Sequence, residues 1–465
     1  MLFSSITFLY YFLPVVFILY LVVPKKIKNL VLFLASLVFY AWGEPKYVFL
    51  MILSIFIGYM AGILMEKLPR KTVMIIAVGL CLFFLVYFKY TNFFISNLNS
   101  LLNTNFSFMK VVMPIGISFY TFQIISYILD VYNRKVEKQN NLLYLATYIA
   151  MFPQLIAGPI VRYADINEQL GKRTHTMENV ADGIKRFTIG LSKKVLLANQ
   201  LGELCQIFQV SGEKTIGFYW IYVLAASLHI YFDFSGYSDM AIGLGKILGF
   251  SFSENFNYPF MSKSITEFWR RWHMSLGTWF RDYVYIPLGG NRKGVKRQII
   301  NILVVWFLTG FWHGAEWNFI IWGLYFALLL VIEKLWLYKK LEKSRIFSHI
   351  YTLIFIGISF VIFNAADLKE ISVSLMNLFY LGESRAYGVF GTECLYYLKS
   401  YIWILIIAIF GATNLPKKLY GILQKNLYVS RILVVVEPVV ILFFVLLCTA
   451  YLIDGSFNPF LYFRF

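Results

Sequence analysis

Charge is scarce in this chain. Of its 465 residues, 14% are Asp, Glu, Lys or Arg, whereas a soluble globular domain carries about 25%. Hydrophobic residues reach 59% and aromatic residues 19%. This balance excludes a disordered chain, a coiled coil and an ordinary soluble enzyme. It predicts a polytopic membrane protein with little mass outside the bilayer.

Acidic residues are particularly few, with 24 against 42 basic residues and a formal net charge of +18. In a soluble protein that excess would suggest a nucleic-acid partner. Here the basic residues form short clusters between apolar runs, as at 25–28 and 292–297, which is typical of cytoplasmic loops. We therefore expect no nucleic-acid partner. No basic residue precedes the first apolar run, 1–24, so we interpret it as an uncleaved span with its N-terminus outside.

Cysteine is also rare. The four cysteines form no CxxC pair and no spaced Cys/His set, which excludes a disulfide framework and a zinc site. We expect no metal. The chain also lacks a Walker A sequence, a GxSxG elbow and an HExxH motif. Any chemistry must therefore rest on other residues.

Hydrophobic runs of roughly 20 residues, long enough to cross a bilayer, recur along the chain. They predict an all-α polytopic protein with roughly 10–12 membrane helices. No repeat of fixed period supports an inverted-repeat transporter. Residues 179–200 have the periodicity of an amphipathic helix on the cytoplasmic surface. The span candidates are 3–23, 48–65, 73–90, 142–160, 215–231, 299–312, 315–337, 350–364, 400–413 and 432–453, with shorter runs at 29–42 and 111–130 expected to be tilted, re-entrant or broken.

His313 is one of only five histidines and lies between two long apolar runs. It is 16 residues beyond Arg297, about 24 Å along a helix, which places it within the bilayer or toward its far side. Gly310 and Gly314 would let another backbone or an acyl chain approach closely, and Glu316 can share a helix face with it. A buried histidine in a membrane protein usually marks function, and imidazole is a common general base. The alternative is a packed, hydrogen-bonded structural histidine.

His273 follows Arg270, Arg271 and Trp272. This pattern fits a cavity wall at membrane depth, and equally an aromatic-belt anchor with a solvated histidine. Two carboxylates, Asp233 and Asp239, lie in an aromatic run downstream of His229. His229 is a candidate partner for Asp233. The run favours a broken helix held by hydrogen bonds over a paired-carboxylate hydrolase.

Several segments together resemble one protein family. They include a Pro-Ile-Gly stretch, an Asn-Tyr-Pro-Phe stretch, the tryptophan-rich segment ending at His273, a Pro-Leu-Gly-Gly-Asn-Arg stretch and the surroundings of His313. The chain resembles the membrane-bound O-acyltransferase (MBOAT) family, in the branch that O-acetylates alginate, with the teichoic-acid D-alanylation branch as a near relative. The matching residues are 113–123, 152–160, 231–243, 257–260, 268–273, 279–283, 286–292 and 309–323.

The resemblance implies one MBOAT membrane domain over 1–465, with a signature core at about 110–325 between flanking helices at 1–109 and 326–453. It implies a ring of tilted helices around a tunnel in the cytoplasmic membrane. His313 falls on the family's catalytic histidine, and His273 on a second, less uniform polar site. The implied function is acetyl transfer from a cytoplasmic thioester toward an extracytoplasmic polysaccharide. Acetyl-CoA is the expected donor, with no bound cofactor, and a lipase-like extracytoplasmic acetyltransferase is the expected partner.

Two further site assignments concern the donor phosphates and the aromatic tail. Arg270, Arg271 and Arg281 are candidates for the donor phosphates, although positive-inside topology explains them equally well. Tyr462, in the aromatic tail 454–465, is a candidate acyl relay, because the D-alanylation branch has a small protein with a similar tail. The alternative for the tail is an interfacial aromatic belt.

The sequence is also compatible with other functions. The chain could export D-alanyl or another acyl group for a cell-wall polymer, and it could be a non-catalytic transporter, flippase or scaffold. A carrier protein could replace acetyl-CoA as the donor. Alginate, cellulose, peptidoglycan or another glycan would fit as the acceptor.

Overall fold

The fold is built from helices joined by loops in the part of the chain that the structure describes. The computed structural model describes residues 1–156 and 158–455, and it assigns no strand within them. Within these described residues, seven helices are long and apolar enough, by length and composition, to cross a membrane. The prediction of an all-α polytopic membrane protein is confirmed. These seven are Pro45–Lys67, Arg70–Leu102, Ile216–Ile247, Trp317–Leu341, Arg345–Asn364, Thr392–Gly411 and Leu427–Ile453.

Contacts divide the chain into two compact units, and the first comprises Met1–Phe187 and Ser238–Glu254. Its helices are α1 Leu13–Val22, α2 Lys28–Ala41, α3 Val48–Lys67, α4 Arg70–Leu102, α5 Ile117–Tyr132, α6 Leu142–Ala150, α7 Phe152–Leu155, α8 Tyr163–Gly171 and most of α9 Met177–Ser192. A π-helix, Thr7–Phe12, precedes α1, and 3₁₀ turns form at Lys25–Ile27 and Pro45–Tyr47.

The second unit comprises Thr188–Tyr237 and Asn255–Phe465. Its helices are α10 Asn199–Val210, α11 Ile216–Ile247, α12 Ile265–Trp269, α13 Met274–Phe280, α14 Gly294–His313, α15 Trp317–Ile332, α16 Tyr338–Leu341, α17 Arg345–Asn364, α18 Leu368–Leu378, α19 Ser384–Tyr387, α20 Thr392–Gly411, α21 Leu415–Lys425 and α22 Leu427–Ile453. The end of α11, from Ser238, belongs to the first unit. π-Helical turns form at Lys193–Ala198, Arg281–Tyr285 and Glu333–Leu337, and a 3₁₀ turn at Pro259–Met261. The single MBOAT domain and the ring around a tunnel stay predictions.

Some predicted spans are shorter or interrupted in the structure. The run 142–160 divides into α6 and α7 at Met151, and Pro153 lies in the first turn of α7, where a missing N–H costs nothing. The runs 29–42 and 111–130 overlap the continuous helices α2 and α5, of 14 and 16 residues. Hydropathy marks apolar residues but not helix ends, so it counts more membrane segments than there are long helices.

Helix α11 is continuous over 32 residues, so the predicted break at its aromatic run is wrong. Its carboxylates are neutralised by cations instead of by unwound backbone. Within the second unit, Asp233 Oδ1 lies 2.6 Å from Lys194 Nζ, and both side chains are 1% exposed. The structure thus shows Asp233 paired with Lys194, where the sequence had indicated His229. Within the first unit, Arg186 bonds Asp239 at 2.6 Å.

The predicted amphipathic helix at 179–200 is only partly a surface helix. Its first half, in α9, alternates exposed and buried side chains. Beyond Phe187 the chain enters the π-helical turn Lys193–Ala198, where Lys194, Val195 and Ala198 are almost fully buried. Ile184, which the periodicity placed on the apolar face, is 46% exposed, and the periodicity could not reveal that Lys194 has a buried carboxylate partner.

Candidate active site

His313 is the last residue of α14 and lies in a tight helical hairpin of the second unit. Gly314 is extended and ends α14, and α15 begins three residues later at Trp317. The two helices are in backbone contact, because a Cβ on Gly310 would lie 3.1 Å from the Cα of Gly323. Close approach at Gly310 is therefore by the backbone of α15. The hairpin fixes the position of His313.

The spacing predicted that Glu316 shares a helix face with His313, and this prediction is wrong. Helix α14 ends at His313, and Glu316 has extended backbone angles as the residue before α15. Three-residue spacing places two side chains on one face only when the helix continues between them. Gly314 interrupts it.

Aromatic rings surround the His313 side chain, which is 6% exposed. The ring centroids of Trp312 and Trp322 each lie 5.0 Å from that of His313, and Phe363 lies 5.5 Å away, all edge-on. Asn318 donates to the backbone oxygens of Phe363 and Ala365, at 3.2 and 2.9 Å. This amide ties the start of α15 to the end of α17, so that Phe363 is held against the histidine.

His273 is also buried, at 2% exposure, and it has left-handed backbone angles (φ 45°, ψ 52°) directly before α13. Its Nδ1 lies 3.1 Å from Asn255 Oδ1. The backbone N–H and the hydroxyl of Ser275 also approach that oxygen, at 3.3 and 2.9 Å. A backbone N–H can only donate, so the Asn255 atom must be the oxygen, and His273 must donate to it through Nδ1–H.

This arrangement defines the state of His273. Burial lowers its pKa to about 3, so the ring is neutral at physiological pH. With the proton on Nδ1, the neutral ring carries its lone pair on Nε2. His273 is therefore presented as an acceptor or base, and the solvated aromatic-belt alternative does not describe it.

Both histidines lie near one indole ring, that of Trp312. The ring of Trp312 is 5.0 Å from His313 and 6.2 Å from His273, centroid to centroid. Phe234 of α11 packs edge-on against His273 at 4.6 Å. The structure thus brings together the two histidines that the sequence singled out.

The three candidate arginines do not line one cleft together. Arg270 is exposed and lines a cleft of about 600 Å³ with Lys334 and Lys339. Arg271 bonds Glu267 at 2.7 Å, and Arg281 bonds Asp282 at 2.8 Å. Arg270 is therefore the member of the set that faces a cavity together with other cations.

Tryptophans separate this cleft from His313. Trp306 lines the cleft, and its ring lies 4.6 Å from Trp269 and 6.2 Å from Trp322. Trp322 in turn contacts His313. A continuous aromatic wall therefore runs from the basic cleft to the buried histidine.

The remaining points concern metal ligands, the cysteines, the aromatic tail and Asn255. In the described part of the chain no group of three or more His, Cys, Asp or Glu is placed to hold a metal ion, and the four cysteines are free thiols. Tyr462 and most of the tail 454–465 lie outside the described residues, as does Ala157 in the segment 152–160. Sequence reasoning missed Asn255, which had no motif to mark it.

Comparison with known proteins identifies the family of the chain. A sequence model of the membrane-bound O-acyltransferase family matches residues 72–366. A probable alginate O-acetylase of Azotobacter vinelandii is 42% identical over 380 residues, covering 79% of this chain and 76% of its own length. A peptidoglycan O-acetyltransferase of Helicobacter pylori is 33% identical over 414 residues, 80% of this chain and 78% of its own.

A teichoic acid D-alanyltransferase of Bacillus subtilis is 32% identical over 277 residues, 55% of this chain and 69% of its own. The family match spans both histidines and the hairpin that carries His313. The chain is a multi-pass membrane acyltransferase and belongs to the membrane-bound O-acyltransferase family.

Proposed function

We propose that this acyltransferase takes an acetyl group from acetyl-CoA in the cytoplasm and delivers it for O-acetylation of an extracytoplasmic, alginate-type polysaccharide. The membrane is then the cytoplasmic membrane. The observation that carries the proposal is the buried pair of His313 and His273 around Trp312. A transporter or a scaffold has no need for a neutral imidazole held in one tautomer.

His313 acts as the general base in this proposal. Its ring takes the proton of the acceptor hydroxyl while that oxygen attacks the thioester carbonyl. The new C–O bond forms, the C–S bond breaks, and the thiolate of the donor leaves and recovers the proton. The imidazolium formed in between lies at the C-terminal end of α14, where the helix dipole favours positive charge. General-base catalysis of this kind contributes about 10²–10⁴ in rate.

The basic cleft is the proposed donor site. Arg270, Lys334 and Lys339 line it, and cations of this kind bind phosphate groups such as those of acetyl-CoA. Trp306 forms part of its wall, and the tryptophans lead from there to His313. Arg271 and Arg281 are already paired with carboxylates, so we assign the donor phosphates to Arg270 rather than to all three arginines.

The relatives favour acetyl over D-alanyl transfer. The O-acetylases of alginate and peptidoglycan match this chain over 79 and 80% of its length, whereas the teichoic acid D-alanyltransferase matches over 55%. We therefore propose acetyl-CoA as the donor rather than an aminoacyl carrier protein.

The test is the ester-linked acetyl content of envelope polysaccharides from cells that carry His313→Ala. We expect near-complete loss with the protein still present in the membrane. His349→Ala is the matched control. His349 lies near the start of α17 and is only partly buried, and it is not among the rings that contact His313. Wild-type acetylation in His313→Ala would refute the catalytic assignment and favour a transporter.

The aromatic tail and the extracytoplasmic partner complete the proposal. Tyr462 would accept the acetyl group as an aryl ester, which is more reactive than an alkyl ester because phenol has a pKa of about 10. A lipase-like acetyltransferase would then move it to the polymer. Tyr462→Phe keeps the ring and removes the hydroxyl. Polysaccharide acetylation at the wild-type level in that variant would leave the tail as a membrane anchor.

A further inference from the structure

Glu333 is fully buried in the second unit and bonded to the start of a distant helix. Its side chain is 0% exposed and lies in the π-helical turn after α15. One carboxylate oxygen accepts from the backbone N–H of Ile265 at 2.6 Å. The other accepts from the backbone N–H and the hydroxyl of Thr266, at 2.9 and 2.7 Å.

These hydrogen bonds fix the start of α12 to Glu333. Helix α12 has five residues, Ile265–Trp269, too few to be stable alone. Its first N–H groups have no partner within the helix, and Glu333 supplies acceptors for two of them. Burying a carboxylate is costly unless its oxygens are bonded, and here three donors converge on them. The carboxylate and the helix start therefore stabilise each other.

Helix α12 leads directly into the candidate site. Trp269 packs against Trp306 and Trp322, Arg270 lines the basic cleft, and His273 follows three residues later. Lys334, the residue after Glu333 in the sequence, lines the same cleft. A single carboxylate thus joins the start of α12, which Arg270 follows, to the turn that carries Lys334.

We propose that Glu333 is a positioning residue for acyl transfer: it fixes α12 so that Arg270 faces the cleft. This proposal rests on the assignment of the cleft as the donor site. Glu333 itself acts through the backbone of Ile265 and Thr266 and need not touch the substrate.

Glu333→Gln is the direct test, because the amide keeps the size of the side chain while one oxygen becomes an NH₂ group that cannot accept. Glu213→Gln is the matched control. The Glu213 carboxylate likewise accepts from two successive backbone N–H groups, those of Thr392 and Glu393, at 3.1 and 2.9 Å. It anchors the start of α20 instead of α12, and α20 carries no candidate site residue.

The first readout is the donor KM of purified full-length protein in a double-mutant cycle with Arg270→Ala. We expect Glu333→Gln to raise the KM by about ten-fold, since a lost bond to a buried carboxylate has that scale. Glu213→Gln should leave it unchanged. In the Arg270→Ala background Glu333→Gln should add little, because its effect passes through Arg270. A fully multiplicative effect, or an unchanged KM, would overturn the proposal.

The second readout is limited trypsin digestion, which does not depend on the donor assignment. Glu333→Gln should expose cleavage after Lys263, Arg270 or Arg271, whereas wild type and Glu213→Gln should resist. If Arg270→Ala leaves the donor KM unchanged, the donor cleft is refuted, and digestion alone then decides whether Glu333 fixes α12. Equal resistance of all variants would overturn the positioning role.

A milder pair of variants covers the case in which Glu333→Gln does not fold. Thr266→Val removes one donor to the carboxylate, and Thr266→Ser restores it. Positioning by Glu333 predicts a raised KM and faster cleavage in Thr266→Val with recovery in Thr266→Ser. Equal behaviour of the two variants would contradict it.

Discussion

Asn255 determines which nitrogen of His273 carries the proton. Its side-chain oxygen lies 3.1 Å from His273 Nδ1, and the Ser275 N–H fixes the orientation of the amide. His273 also has a positive φ of 45°, a conformation that asparagine tolerates far better than alanine does. The bond to Asn255 and the left-handed backbone are structural roles of His273, and an asparagine at this position can keep both while it removes the imidazole.

His273→Asn should therefore fold, because its amide can donate to Asn255 and its backbone accepts the left-handed conformation. We expect His273→Asn to be extracted at the wild-type level but to show a lowered kcat or a raised donor KM. His273→Ala should lose folded protein as well. Wild-type kinetics in His273→Asn would show that the imidazole has no part in acyl transfer.

The buried state of His273 also predicts a pH dependence of stability. Its pKa falls from 6.5 to about 3 on folding, so below pH 6.5 the unfolded chain binds a proton that the folded chain does not. The contribution of His273 is present above that pH and is lost progressively as the pH falls. Between about pH 7.5 and 5.5 the loss should be on the order of 1 kcal/mol.

Thermal melts of the purified protein across that range are the measurement. His273→Asn has no group that titrates at this position, so its melting temperature should fall less than that of wild type. Parallel pH profiles for the two proteins would contradict the buried neutral state.

Gly310→Ala should disturb the hairpin that carries His313. The added Cβ would approach the Phe319 carbonyl oxygen and lie 3.1 Å from Gly323 Cα. Overpacking of this kind typically costs about 1–3 kcal/mol. We expect a lower melting temperature and a lower kcat. Gly79→Ala is the control, since no atom lies within 4 Å of its added Cβ. A fully active and stable Gly310→Ala protein would argue against the backbone contact.

Lys194→Met should destabilise the chain, because it leaves the Asp233 carboxylate buried without its cation. Removing one partner of a buried pair costs about 3–5 kcal/mol. The double variant Lys194→Met/Asp233→Leu should recover much of the loss, since two apolar side chains need no hydrogen bonds. Lys246→Met is the control, because its pair with Asp182 is 39% and 56% exposed. The yield and the melting temperature of the membrane protein are measured for all three variants. Equal losses in Lys194→Met and Lys246→Met would contradict the prediction.

Local pattern in the sequence predicted some of this structure. Apolar runs identified most of the long helices, and Gly310 beside His313 predicted a close approach of another backbone or an acyl chain, which in the structure is the backbone of α15. Distant pairings were not predictable. His273 meets Asn255 across 18 residues, and Glu333 meets Ile265 across 68. No periodicity encodes such contacts, because they depend on how separate helices pack.

Local reasoning also failed where a helix ended. Glu316 was placed on the face of His313 because helical spacing was assumed to continue, and the extended backbone at Gly314 ended it. At Asp233 the opposite error occurred, since Gly236 and the hydroxyl groups of the aromatic run suggested a break in a helix that is continuous. The missing information was a local helix end at Gly314 in the first case and the tertiary pair of Asp233 with Lys194 in the second.

The contact of His313 with Phe363 has a consequence for synthesis of the chain. Phe363 belongs to α17, which begins at Arg345, 32 residues after His313 in sequence. A nascent chain that ends before α17 already contains both histidines and the whole α14–α15 hairpin. It lacks Phe363 and the carbonyl groups that Asn318 binds. The histidine pocket is therefore completed only after α17 has been synthesised, so a chain that is still being inserted lacks the contacts that hold Phe363 against His313.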